Sequence, residues 1–142
     1  MSSEIFIAQP DDEIQECFPV FKVLRPHLNE DGFLPQVKRQ QTQDYKILAL
    51  KHEGIVKSAA GFRIAEFLAW GKVLYIDDLI TLPEEKKRGY AGELLDWLIA
   101  YAQNHQCDEV HLDTGYMRHD AHRLYLRKGF QFKSHHLALQ FD

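Results

Sequence analysis

Residues Glu84–Leu98, EEKKRGYAGELLDWL, gather three cations, Lys86, Lys87 and Arg88, at the point where an apolar helical stripe begins. From Arg88 to about Gln106 the apolar Ala91, Leu94, Leu95, Leu98 and Ala102 fall on one helical face, with Glu93, Asp96 and Gln103 turned away. The first turn of a helix carries unsatisfied N–H groups and the positive end of the peptide dipoles, so cations placed there repel it and one another unless an anion sits among them. Gly89 and Gly92 lack the Cβ that would keep a phosphate oxygen away from the backbone amides. By itself the stretch reads either as a phosphate cradle or as a solvated lysine-rich turn ahead of an ordinary helix.

The flanks place this helix in a sheet. Upstream, YKILALKHEGIVKSAAGFRIAEFLAWGKVLYIDDLITL is rich in β-branched and aromatic residues and is broken at Gly54 and Gly71, which predicts three antiparallel strands near residues 45–51, 55–69 and 72–82. Downstream, DEVHLDTG alternates Val110, Leu112 and Thr114 against His111 and Asp113. Coming after a crossover helix, it is expected to pair parallel to the preceding strand. Nearer the start, Ile5 to Ala8 form a short strand. Ile14, Cys17, Phe18, Phe21, Leu24 and Leu28 then recur at helical spacing, divided at Pro19, and FLPQVKRQQTQ reads as a second short helix. RHDAHRLYLRKG puts Ala121, Leu124 and Tyr125 on one helical face and ends at Gly129, where a left-handed cap belongs. The tail, FQFKSHHLALQF, alternates again and is expected to close the sheet.

A chain of 142 residues with 45% hydrophobic content is read as a single domain over residues 1–142. Its formal net charge of -4 opposes nucleic acid and acidic membrane surfaces and suits a cationic partner. Cys17 and Cys107 stand far apart, with neither a disulfide framework nor zinc-ligand spacing. MSSEIFIAQPDDE lacks the basic start and apolar run of a signal peptide, and no stretch reaches membrane-spanning length, so a cytoplasmic protein is expected.

The loop has neither the GxxxxGK[ST] nor the GxGxxG spacing. What it has is K-x-x-G-x-A, Lys86 to Ala91, and it is followed by AHRLYLRKGF, in which Ala121, Tyr125, Gly129 and Phe130 stand in order. In these two segments the chain resembles the GNAT superfamily of N-acetyltransferases. There the pyrophosphate loop reads Arg or Gln, two variable residues, Gly, one variable residue, then Gly or Ala, and the second signature is an alanine, a tyrosine four residues on, and Gly-Phe. Lys86 stands where that loop has Arg or Gln, and Arg118 where many members carry an asparagine on the cofactor's pantetheine arm. The resemblance implies an α+β (α/β) fold: a mixed, mostly antiparallel sheet of about seven strands with a splayed parallel pair, flanked by about four helices. It implies acetyl-CoA as co-substrate, its pyrophosphate held by the amides of Lys87, Arg88, Gly89, Tyr90, Ala91 and Gly92. It also implies that amides around Leu79, Ile80 and Thr81 engage the pantetheine and polarise the thioester carbonyl.

Tyr125 then has a chemical role. When an amine displaces coenzyme A, the departing thiolate must be protonated, and a phenol of pKa about 10 supplies the proton. Asp77 and Asp78 interrupt an otherwise apolar strand, and buried carboxylates cost several kcal/mol, so at least one is expected to face a wet cleft. Alternation would put them on opposite faces. Asp77 is expected as the general base, through a water, or as an anchor for a cationic amine; Asp78 is open between that chemistry and a structural role. His119, His122, His135 and His136 raise a metal site only as a spacing, and no metal is expected. The segment from Arg118 onward is locally similar to aminoalkylphosphonate acetyltransferases, which favours a small amine. Arg25, His27, Asp31 and Phe33 belong to the first 45 residues, which shape the acceptor pocket in the superfamily. The function expected is direct transfer of acetyl from acetyl-CoA to the primary amine of a small molecule, with a homodimer as a common assembly of the superfamily. The alternative is a non-catalytic module that binds an acyl-CoA to sense it or to join a partner.

Overall fold

The computed structural model describes residues 3–141. They divide into two units, residues up to His111 and residues from Leu112 on. In the first, β1 (Glu4–Ala8) leads to α1 (Asp11–Glu16), α2 (Phe18–Leu24) and α3 (Glu30–Gln41). Then come β2 (Lys46–His52), β3 (Ile55–Phe67), β4 (Gly71–Thr81), a 3-10 turn (Pro83–Glu85), α4 (Tyr90–Asn104) and β5 (Glu109–Leu112), whose last residue crosses into the second unit. The second unit carries α5 (His119–Arg127).

Local chemistry explains the breaks. Pro19 sits in the first turn of α2, where its missing N–H costs nothing, so the expected helix divides at Cys17 into α1 and α2. Asn29 caps α3 by accepting a hydrogen bond from the Gly32 amide at 2.8 Å, which starts that helix ahead of the expected Phe33 and leaves Asp31 exposed in its first turn.

The strands lie in the order β1-β2-β3-β4-β5, with β1, β2, β3 and β4 antiparallel to their neighbours. Asp108 N–H donates to the Lys72 carbonyl at 2.7 Å, so β5 starts at the same end as β4 and runs parallel to it. The β4–α4–β5 crossover expected from sequence is therefore present. Alternate residues of β2 serve two cores. Ile47 and Ala49 pack with Ile14, Val20, Phe21, Phe33 and Val37 of the first three helices. On the other face Phe62 packs edge-on against Tyr101 of α4, at 5.4 Å between ring centroids, with Leu94, Leu95 and Leu98 fully buried.

Among the described residues the sheet has five strands and the chain five α-helices, not the expected seven and four. The tail forms no strand. Its apolar residues change phase: Phe130 and Phe132 are even, whereas Leu137, Leu139 and Phe141 are odd, with Lys133-Ser134-His135-His136 between them. One continuous strand would turn the two sets to opposite faces. Phe132, Leu137, Leu139 and Phe141 are exposed. In the same unit α5 ends as expected. Gly129 has φ +100°, and the amides of Gly129 and Phe130 bond the carbonyls of Leu126 and Tyr125 at 3.1 and 3.0 Å. No helix among the described residues is long and apolar enough to cross a membrane.

Candidate active site

The acid pair owes its arrangement to a break in the β3–β4 register. Gly61 is opposite Asp78, but the next residue, Phe62, is opposite Ile76, so Asp77 is an extra residue, a β-bulge. Strict alternation, which would have separated the carboxylates, fails at this point. Asp77 and Asp78 both line one cavity of about 430 Å³. Arg25 and His27, beyond the end of α2, and Phe33 of α3 line it too, whereas Asp31 is not among its lining residues.

Each carboxylate has its own guanidinium. Arg63 of β3 grips Asp77 with two hydrogen bonds, Nε to Oδ1 at 3.1 Å and Nη2 to Oδ2 at 2.5 Å. Arg25 donates from Nε and Nη2 to Oδ1 of Asp78 at 3.1 and 2.9 Å, and from Nη2 also to the Asp77 carbonyl at 3.0 Å. The other oxygen of Asp78 accepts the Tyr45 hydroxyl at 2.8 Å. Burial pushes the Asp77 pKa up despite the Arg63 pair, which pulls the other way, because the carboxylate gives up water for a partly closed site. Burial, followed by the charge of Asp78, pushes the Tyr45 phenol well above its ordinary value, so it is the donor in that bond.

Beyond the bulge, Leu79, Ile80 and Thr81 are buried. The Ser58 hydroxyl bonds the Ile80 carbonyl at 2.9 Å and the Thr81 hydroxyl at 2.8 Å, pinning this end of β4 to β3. Since β5 starts beside Lys72 and is four residues long, the ladder on that side is spent before Leu79 is reached.

The cationic loop follows. Glu85 bridges Lys57 at 3.0 Å and Arg88 at 2.8 Å, and Lys57, the first cause, holds its carboxyl below the ordinary value. One cation of the cluster is thus balanced from within. Lys86 and Lys87 are exposed and form no ion pair among the described residues. Lys87 and Gly89 both take left-handed backbone, φ +76° and +83°. For a lysine that conformation costs about 1 kcal/mol or more, and alternating handedness turns successive amides toward a common concavity. A Cβ on Gly89 would meet nothing within 4 Å, so this face of the loop is open. Left-handed backbone, open space at Gly89 and unpaired lysines fit a diphosphate.

In the second unit Tyr125 is the buried residue of α5, its ring 5.9 Å from that of Phe130. Burial pushes its pKa up, and the nearby Arg118 pulls it back in part. His119 and His122 lie ring to ring, and His122 bonds the Gly115 carbonyl at 2.8 Å. Among the described residues no three His, Cys, Asp or Glu side chains are grouped to hold a metal ion.

The sequence profile of the Acetyltransferase (GNAT) family matches residues 8–130. The chain belongs to the GNAT acetyltransferase family. It is 29% identical over 126 residues, 87% of its own length and 89% of the other's, to the uncharacterized N-acetyltransferase YhdJ of Bacillus subtilis (strain 168). Its fold matches AAC(6')-Iy in complex with the bisubstrate analogue CoA-S-monomethyl-acetylneamine, with a TM-score of 0.85, 16% identity and coverage of 100% and 99% of the two chains. It also matches glucosamine-6-phosphate N-acetyltransferase from Arabidopsis thaliana, with a TM-score of 0.81, 16% identity and full coverage of both chains. This GNAT protein is an acetyl-CoA-dependent acyltransferase.

Reading the GNAT sequence alone left out Arg63, Tyr45 and Gly61. Arg63 carried a signal, being a cation in the mostly apolar middle of a strand that neighbours the strand with two acids. Tyr45 and Gly61 carried none, because their part depends on a register that sequence does not display.

Proposed function

We propose that the protein transfers acetyl directly from acetyl-CoA to the primary amine of a small molecule. The observation that carries this reading is the bulge at Asp77, which turns two carboxylates into one cavity. A cavity of about 430 Å³ is of the size that takes small ligands. Acetyl-CoA supplies, when bound, an acetyl group activated as a thioester. The amides from Lys87 to Gly92 would hold its diphosphate, and those of Leu79, Ile80 and Thr81 would face its pantetheine and carbonyl.

Asp77 accepts the proton that the attacking amine sheds. Its raised pKa brings it nearer the working pH of a base, and Arg63 fixes its orientation. Tyr125 keeps its own proton at neutral pH, since burial raises its pKa, and gives it to the departing sulfur. Direct transfer is supported by the cysteines. Burial pushes the Cys17 thiol up to about 12 and raises Cys107 as well, so neither is a ready thiolate nucleophile.

The test is acetyl-CoA-dependent release of free thiol across amines, aminophosphonates, polyamines, aminoglycosides and lysine peptides. Thiol release with a small primary amine, lost in Asp77→Asn, is the expected result. Release with lysine peptides alone, or with no amine, would overturn the small-molecule reading.

A further inference from the structure

The charges in the acceptor cavity do not match a polycation. Asp77 already has both oxygens on Arg63, and Asp78 has one on Arg25 and one on the Tyr45 hydroxyl. Each acid is thus already matched by a guanidinium, so the cavity has no unbalanced negative charge to recommend it to a chain of several ammonium groups. Besides the amides of Gln36 and Gln40, which bond each other, the lining offers cationic and imidazole donors. Arg25 uses Nε and Nη2, while its Nη1 makes no hydrogen bond among the described residues and its side chain is 43% exposed. His27, two residues on, is exposed and lines the same cavity. Apolar and aromatic side chains, among them Phe21, Leu28, Phe33 and Tyr75, line the same cavity.

We infer that the acceptor is an amphoteric molecule, a primary amine joined through an apolar spacer to a carboxylate, with the carboxylate held by Arg25 and His27. This rests on the amine-acetylation reading above and names its substrate class. The amine end is left to Asp77, and the spacer takes the aromatic wall. A guanidinium edge and an imidazole suit a planar carboxylate, which accepts from both at once. Arg25 acts twice in this scheme. One side of its fork orders Asp78, and the other takes the substrate's anion.

The experiment compares 4-(aminomethyl)benzoate with 4-methylbenzylamine, which share amine and spacer and differ in the carboxylate. Thiol release is expected to favour the acid by about tenfold or more in kcat/KM, through KM, the range for a hydrogen-bonded charge. In Arg25→Gln, and separately in His27→Gln, which leaves the Asp78 bonds in place, that ratio is expected to fall toward one. Equal use of the two amines by the wild-type protein would overturn the inference. So would an Arg25→Gln loss that is the same for both, which would make Arg25 a positioning residue for Asp78 alone. Preference for the corresponding phosphonate over the carboxylate would overturn the assignment of the anion. Calorimetric binding of 4-(aminomethyl)benzoate separates this from the transfer reading. Binding that needs the carboxylate and Arg25, without turnover, would sink the transfer and keep the site; turnover without that dependence would do the reverse.

Discussion

Gly61 makes room for Tyr45. A Cβ at residue 61 would lie 1.9 Å from the Tyr45 hydroxyl oxygen and 2.6 Å from Oδ2 of Asp78, the two atoms that share a hydrogen bond. Tyr45 is only 4% exposed, so its ring has no free path aside. The bulge beside Gly61 and the hydrogen bond above it are therefore one arrangement, and a methyl group breaks it.

Gly61→Ala is expected to destabilise the protein by about 1–3 kcal/mol, the cost of overpacking a filled core and losing a charge-assisted bond. Urea denaturation measures it. Tyr45→Leu shortens the side chain that would clash, so in that background Gly61→Ala should cost less, with a coupling of about 1 kcal/mol or more in the double-mutant cycle. Additive losses would show that Gly61 and Tyr45 act independently.

Asp77 gives a pH signature of definite sign. Its folded-state pKa lies above the ordinary 3.8, with burial as the leading cause, so between those two values the native state binds more protons than the unfolded chain. Its contribution to stability then declines as pH rises through the folded value, opposite to a carboxylate such as Glu85, whose pKa is lowered and whose contribution is lost as pH falls. In Asp77→Asn the declining component should vanish from stability measured against pH, and the acid limb of kcat/KM should go with it, along with about 10²-fold or more of the rate.

Much of this fold could be read from period and punctuation. The three strands upstream of the loop, the helix behind it and the Gly129 cap each rest on local pattern, and each stands within a few residues of its expected bounds. The tail alternates as a strand does, but its phase changes between Phe132 and Leu137, and it forms no strand. The acid pair shows a different limit: period two separates Asp77 from Asp78, and only the register with β3, where one residue is inserted, brings them together. Arg25 lies 53 residues from Asp78 and Tyr45 lies 33, so these pairings depend on which elements meet, which no local window contains.

The phosphate loop can be tested apart from the acids. Gly89 has φ +83° with open space where a Cβ would stand, so Gly89→Val pays for left-handed backbone, about 1–2 kcal/mol, rather than for a clash. The β-branched side chain would also cover the amides. Affinity for coenzyme A, measured by calorimetry, should fall at least tenfold beyond any loss of folded protein, the change expected from losing a hydrogen bond to a charged group. Lys87→Gly is the complementary probe. With φ +76° already left-handed, glycine should relieve strain while coenzyme A binding stays within a few-fold if the backbone amide, rather than the ammonium, makes the contact.

Tyr125→Phe removes the phenolic proton and leaves the ring, whose packing against Phe130 does not use the hydroxyl. Because burial raises the Tyr125 pKa above 10, the wild-type phenol is protonated throughout the neutral range and the alkaline limb of kcat should lie above pH 10. The variant should lose that limb and about 10²-fold or more in kcat, while coenzyme A binding and thermal stability change little. An acyl donor with a leaving group of lower basicity should narrow the gap, since a weaker base needs its proton less. To apply this, acetyl-CoA is compared with an acetyl thioester of a more acidic thiol that carries the same diphosphate arm. If Tyr125→Phe slows both donors equally, the hydroxyl is serving position and not proton transfer.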